Sequence, residues 1–176
     1  MIELPMLNLH PALVHFPIAL LTMYALIEVA RFNRLQNHPH TFSLKAFLCV
    51  VGTLSLTATY FTGEAIKEAF AVGDLALLVE RHATFALASH VIFIILAMGY
   101  LGEVAFRSLS EKSFWNTFIG GSIHRFTKTI TSKYVAPCFA LFGLTTLTIT
   151  GALGGAIVHG PEIDPVVHFI YRLFVR

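Results

Sequence analysis

The longest stretch without a charged side chain runs from Tyr134 to Pro161 and reads YVAPCFALFGLTTLTITGALGGAIVHGP. It contains 28 residues, whereas about 17 to 25 predominantly apolar residues suffice to cross a bilayer as a helix. Three more charge-free stretches lie earlier in the chain, at residues 4–27, 46–63 and 82–102. Each of the four stretches is long enough to supply one membrane span.

The composition of the 176-residue chain agrees with this interpretation. Hydrophobic residues make up 56% and charged residues 12%, compared with about 25% charged residues in a soluble domain. We therefore predict an all-α fold with a single domain over residues 1–176. It is a transmembrane up-and-down four-helix bundle with spans at about residues 10–31, 46–63, 82–105 and 134–159. The net charge of +2, without a basic cluster, excludes a nucleic-acid partner.

The distribution of basic residues predicts the orientation of the spans. Eight of the twelve lysines and arginines fall between spans one and two or between spans three and four: Arg31, Arg34, Lys45, Arg107, Lys112, Arg125, Lys128 and Lys133. Loops rich in lysine and arginine stay in the cytoplasm. We therefore expect a multi-pass protein of the bacterial inner membrane with both termini in the periplasm.

Two segments outside the spans alternate apolar and polar residues in a way that is typical of interfacial helices in contact with membrane lipid. The first is the loop over residues 105–131, and the second is the tail from Pro165 to Arg176. In the loop the apolar positions are Phe106, Leu109, Phe114, Trp115, Phe118, Ile119, Ile123 and Phe126. Docking of these segments onto a partner subunit is the alternative.

Five of the nine histidines cluster at the span ends that an up-and-down bundle brings to one membrane face. His10 and His15 begin span one, His82 and His90 lie in span three, and His159 ends span four. Ionisable groups at such depth are costly and usually functional. They could be ligands of a cofactor or metal, a hydrogen-bonded structural network, or the lining of a path for protons or metal ions.

The depth of each histidine divides the five into two layers. At a rise of about 1.5 Å per residue, His90 should lie about 12 Å deeper than His82, and His15 about 7 Å deeper than His10. Spans one and three are diagonal in a simple bundle, where cofactor sites are built. We therefore predict that His15 and His90 ligate a haem iron. His10, His82 and His159 would then bond to the haem propionates or ligate a second haem.

Small residues on span four predict room for such a ring. Counting back from His159, Gly155, Ala152, Gly151 and Thr148 share one helical stripe. Gly151 and Gly155 are therefore candidate cofactor-binding residues. The same stripe is also typical of close helix packing in a membrane.

The opening of span one reads HPALVHFP over residues 10–17, and Pro17 should interrupt the helix because it cannot bond to the carbonyl of Leu13. Such a bend could turn both histidines inward. This opening, His82, and the segment LGGAIVH over residues 153–159 resemble the DUF2231 family of small bacterial four-helix membrane proteins. The resemblance implies a redox context, because related domains are joined to c-type cytochrome or Rieske iron–sulfur modules in some proteins.

The sequence thus predicts a b-type cytochrome-like electron-transfer protein that binds one haem b, or two, near the periplasmic face. Its partner would be a c-type cytochrome or iron–sulfur subunit of a respiratory or other redox complex. One alternative is a non-redox accessory or assembly subunit, and another is a periplasm-facing copper- or zinc-binding protein. No nucleophile with an oriented base stands out, so an electron-transfer or accessory role is favoured over an enzyme.

Overall fold

The computed structural model describes residues 9–30, 38–108 and 115–175, which form an all-α bundle. Four helices are long and apolar enough to cross a membrane: α1 (His10–Ala30), α2 (Thr41–Phe70), α3 (Ala76–Ser108) and α5 (Val135–His159). A short 3-10 turn, Gly73–Leu75, leads into α3. Two shorter helices are α4 (Phe118–Ile130) and α6 (Pro165–Phe174). The predicted fold class is confirmed.

Two of the spanning helices are longer than the sequence predicted. The predicted spans at 46–63 and 82–105 correspond to α2 and α3, which extend beyond these limits at both ends. α2 includes Lys45 near its start and Glu64 and Lys67 near its end, because lysine and glutamate are good helix formers. A charge-free stretch therefore marks the apolar part of a span and not the ends of the helix. Some residues used above lie outside the described ranges: Arg31, Arg34, Leu109, Lys112, Phe114 and Arg176.

The four spanning helices pack around a common core. α1 and α3 each pack against both α2 and α5, so α1 and α3 are diagonal, as predicted. The diagonal helices meet through large aromatic residues, since the rings of Tyr24 on α1 and Phe93 on α3 are edge to face with centroids 6.4 Å apart. Both side chains are fully buried. Such aromatic contacts fill the bundle centre, and they stabilise the fold by more than the buried area alone would provide.

Helix α1 is interrupted at Val14, between the segments His10–Leu13 and His15–Ala30. Pro17 lies in the turn after this point and has no N–H to bond to the carbonyl of Leu13. The interruption therefore occurs where the proline pattern predicts it. It turns His10 towards α2, whereas the side chain of His15 remains exposed.

Side-chain caps define where the two short helices begin. Thr117 accepts a hydrogen bond from the N–H of Gly120 at 3.1 Å, and Asp164 accepts from Val166 at 2.8 Å and Val167 at 2.9 Å. Such caps satisfy N–H groups that have no partner within the helix. α4 packs on α3, and α6 packs on α5. The location of both helices at a membrane interface stays a prediction.

A buried ion pair joins three helices at the end of the bundle formed by the start of α2. The carboxylate of Glu28 on α1 is 3% exposed and lies 3.0 Å from the ammonium group of Lys45 on α2. The hydroxyl of Tyr100 on α3 donates to the same carboxylate at 2.9 Å. Removing one partner of a buried pair leaves the other charge uncompensated, which is strongly destabilising.

We expect Lys45→Met to lower the free energy of unfolding by about 3 to 5 kcal/mol, because the Glu28 carboxylate would stay buried without its cation. The double variant Glu28→Gln/Lys45→Met should recover much of this loss. The measurement is titration of the detergent-solubilised protein with SDS, followed by circular dichroism. Lys67→Met is the control, since Lys67 and Glu64 are 3.9 Å apart and largely exposed, and its effect should stay below about 1 kcal/mol. An equal loss in both single variants would contradict this prediction.

Candidate functional site: a histidine-lined cavity

A cavity of about 400 Å³ opens at one end of the bundle, between the starts of α1 and α3 and the ends of α2 and α5. Four of the five histidines singled out from the sequence line it, and so do both candidate glycines. Its remaining walls are mostly apolar and include Pro17, Ile18, Leu56, Val79, Ala83 and Ala86. This histidine cavity is defined by His10, His15, His82, His159, Gly151 and Gly155.

His10 is half-buried and is held against α2. Its Nδ1 atom lies 3.0 Å from the carbonyl oxygen of Thr59 and 3.2 Å from the hydroxyl of Thr62. The ring also lies directly over Gly63, where an added Cβ would be only 2.8 Å from the ring atom Cε1. The absence of a side chain at Gly63 therefore lets the imidazole approach the α2 backbone.

His82 is held against α5 in a similar way. Its Nδ1 atom lies 3.0 Å from the carbonyl oxygen of Thr150. A Cβ added at Gly154 would lie 3.1 Å from Cε1 of this ring, so Gly154 provides the space that the imidazole needs. His10 and His82 line the same cavity.

These contacts determine which ring nitrogen carries the proton. A carbonyl oxygen only accepts hydrogen bonds, so the Nδ1 atoms of His10 and His82 must donate to Thr59 and Thr150. In a neutral imidazole the other nitrogen, Nε2, then carries a lone pair. An imidazole whose Nδ1–H bonds to a backbone carbonyl is the common arrangement for a histidine that binds a metal through Nε2.

His90 lies outside the lining of the cavity. Its side chain is buried, with 7% exposed, and its Nε2 atom is 2.9 Å from the hydroxyl of Thr57 on α2. The same hydroxyl lies 2.9 Å from the carbonyl oxygen of Thr53, to which it can donate while it accepts from Nε2–H of His90. The ring also packs against Tyr60, with centroids 4.9 Å apart. His90 therefore links α3 to α2 through the nitrogen that an Nε2 metal ligand would use.

The structure thus does not bring the predicted pair, His15 and His90, to the same cavity. His15 and His159 line the cavity with exposed side chains, whereas His90 is directed to the α2–α3 contact. The rim histidines His10 and His82 are the two with a hydrogen-bonded, defined ring orientation inside the cavity. The sequence predicted only a supporting role for His10 and His82, whereas the structure holds both rings in place at the cavity.

The glycines of α5 have different environments. A Cβ added at Gly151 would meet no atom within 4 Å, and one at Gly155 would meet Val167 at an ordinary 3.8 Å. Both residues also line a groove of about 450 Å³ on the outer side of α1 and α5. At Gly143, in contrast, an added Cβ would lie 2.8 Å from the ring of Phe93. Gly151 therefore borders open space, Gly155 has an ordinary contact with Val167, and Gly143 serves close packing.

The residues that orient the two rings are not among the site residues predicted from the sequence. Thr59 and Gly63 on α2 act on His10, and Thr150 and Gly154 on α5 act on His82. The spacing Thr-x-x-x-Gly near the cavity ends of both helices was visible in the sequence. It carried no meaning there, because threonine and glycine are common in membrane helices.

Among the described residues, no group of three or more His, Cys, Asp or Glu side chains is arranged to hold a metal ion. Comparisons with protein-family models, with curated proteins and with solved structures each found no match to this chain. The resemblance to the DUF2231 family therefore stays a prediction.

We expect Gly143→Ala to lower the free energy of unfolding by about 1 to 3 kcal/mol, because the new methyl group would press on the buried Phe93 ring. Gly151→Ala should be neutral or stabilising by up to about 1 kcal/mol, because its methyl group meets open space and alanine favours the helix. Titration with SDS measures both values. A loss at Gly151 as large as that at Gly143 would show that the stripe facing the cavity is closely packed.

Proposed function

We propose that this chain is a membrane-embedded electron-transfer protein that binds haem b in the histidine cavity. The observation that carries the proposal is the presence of imidazoles from three helices around one largely apolar cavity, two of them oriented with Nε2 as the lone-pair nitrogen. The cavity volume of about 400 Å³ falls in the range of small-molecule and cofactor sites.

The donor set fits a haem. A porphyrin supplies four iron ligands itself, so two imidazoles of the cavity would complete the coordination. A haem held by two histidines would supply one-electron transfer in preference to oxygen binding. The open space beside Gly151, which lines the cavity, would leave room for a flat ring next to α5.

The residues of the chain would have distinct tasks. The helices hold the imidazoles at the cavity, whose other walls are mostly apolar. His159, Lys67 and Glu64 lie in the lining as polar groups. A cation or imidazole there could bond to the propionate groups of a haem. The redox partner proposed is a c-type cytochrome or iron–sulfur subunit in the same membrane.

We expect the purified, detergent-solubilised protein to contain about one haem b per chain and to show a low-spin α-band after reduction with dithionite. Pyridine extraction identifies and counts the haem, provided that the cells were supplied with a haem precursor. Colourless protein without bound metal would instead support the accessory-subunit alternative. Copper or zinc found by elemental analysis, without haem, would replace haem b by a metal-ion site.

The proposed location of the cavity at the periplasmic face is tested by topology reporters. Fusions after Arg176 and within residues 64–81 should report the periplasm, and a fusion within residues 107–132 should report the cytoplasm, because the two basic loops are retained inside. A control fusion within residues 31–45 should match the 107–132 fusion. A cytoplasmic C-terminus would place the histidine cavity on the opposite side of the membrane and overturn this part of the proposal.

A further inference from the structure

Helix α4 is fixed to the last part of α3 by one of its faces. Thr127 and Ile130 of α4 lie over two glycines of α3, and a Cβ added at Gly99 would be only 2.6 Å from Cγ2 of Ile130. The hydroxyl of Thr127 also donates to the buried carboxylate of Glu103 at 3.0 Å. These contacts determine which residues of α4 point away from the bundle.

The outward face of α4 is apolar. Phe118 is 90% exposed, and Ile119, Ile123 and Phe126 are between 41% and 65% exposed. At 3.6 residues per turn, these four side chains span about 140° of the helix circumference. A contiguous apolar face of this kind indicates a binding surface and not contact with water alone.

Basic residues lie beside this apolar face. Arg125 and Lys128 are exposed and lie within the next 80° or so of the circumference, between the apolar face and the face that packs on α3. Lys133 follows the end of α4, and its ammonium group lies 4.8 Å from the centroid of the Tyr134 ring. Over residues 115–161 the chain has three basic residues and no acidic residue. The charged side chains beside the apolar face are therefore all positive.

We propose that α4 binds anionic phospholipid, with its apolar face among the acyl chains and Arg125, Lys128 and Lys133 at the phosphate groups. Both arginine and lysine donate charge-assisted hydrogen bonds to phosphate oxygens. For an amphipathic helix, attraction of basic residues to anionic lipid adds to the burial of apolar side chains. The sequence predicted contact with lipid, whereas the preference for an anionic headgroup follows from the position of the basic residues beside the exposed apolar face.

This lipid site is separate from the histidine cavity. α4 bonds to Glu103 near the end of α3, whereas the cavity is lined by His82 and Ala83 near the start of α3. Lipid binding at α4 therefore does not depend on the proposed haem. A membrane surface supplies both the apolar and the anionic component that this face requires, so the proposal needs no partner protein.

The first experiment uses Trp115, which is the single tryptophan of the chain and precedes α4 closely. The full-length protein is reconstituted in bilayers of equal amounts of phosphatidylglycerol and phosphatidylcholine, with bromine on the acyl chains of one lipid or the other. Brominated chains quench the fluorescence of an adjacent tryptophan. We expect an affinity for phosphatidylglycerol at least about 5-fold higher than that for phosphatidylcholine, the effect of one basic residue near a membrane surface. Equal quenching by both lipids would overturn the proposal.

The second experiment tests the charges. Arg125→Gln/Lys128→Gln should lower the lipid preference to less than about 2-fold, and sodium chloride at about 1 M should have the same effect on the wild-type protein because it screens exposed charges. The matched control is Arg125→Lys/Lys128→Arg, which keeps both charges and should keep the preference. Arg81→Gln removes an exposed charge near the start of α3 and should also keep it. An unchanged preference in the double glutamine variant would reject the role of these residues.

The third experiment moves the tryptophan to the apolar face itself. In Trp115→Phe/Phe118→Trp the emission should shift to shorter wavelength than that of tryptophan in water, and quenching by brominated phosphatidylglycerol should be stronger than in the wild-type protein. Emission typical of water, without quenching by either lipid, would overturn the proposal and favour docking of a partner protein at α4.

Discussion

The hydrocarbon interior of a membrane offers no hydrogen-bond partner, so polar groups in the apolar part of this bundle depend on partners within the protein. Hydroxyl groups find a partner within their own helix: Thr57 donates to the carbonyl of Thr53, and Thr148 donates to the carbonyl of Leu144. An imidazole with its proton on Nδ1 reaches a neighbouring helix instead. The histidines at the cavity thus join α1 to α2 and α3 to α5 in a defined register.

An imidazole can approach a neighbouring backbone closely only where no side chain lies in between, and glycine provides such a position. Gly63 and Gly154 lie where a Cβ would press on a histidine ring, and Gly143 lies where it would press on Phe93. Gly151 borders open space on the same helix α5. On α5, Gly143 thus allows packing of an aromatic ring, Gly154 gives space to a histidine, and Gly151 leaves open space. Only the neighbouring atoms distinguish these three roles.

The two ends of the bundle differ in chemistry. At the end opposite the cavity, the buried carboxylates have partners within the protein, since Glu28 meets Lys45 and Glu103 accepts from Thr127 at 3.0 Å. The ring of His124 lies 3.5 Å from the Glu103 carboxylate and connects α4 to α3. At this end, polar side chains thus connect α1 to α2 and α3 to α4. The end with the histidines opens into a cavity with mostly apolar walls.

The sequence by itself determined the number of spanning helices and the end of the bundle at which His10, His15, His82 and His159 meet. Both follow from one-dimensional information, namely the length of the apolar stretches and the alternating direction of successive spans. The sequence did not determine where α2 and α3 begin and end, because charged residues such as Lys45 remain helical and find partners on other helices. Hydropathy does not record such partners.

Only the tertiary structure decided which neighbouring helix each histidine contacts and through which nitrogen. His82 and His90 are eight residues apart, which turns them about 80° from each other around α3. As a result, the first faces Thr150 on α5 and the second faces Thr57 on α2. Which neighbour each face meets depends on the rotation of α3 about its own axis, and that rotation is set by packing against α2 and α5 together. Depth along the span follows from the residue number, whereas this rotation follows from contacts between residues far apart in the chain.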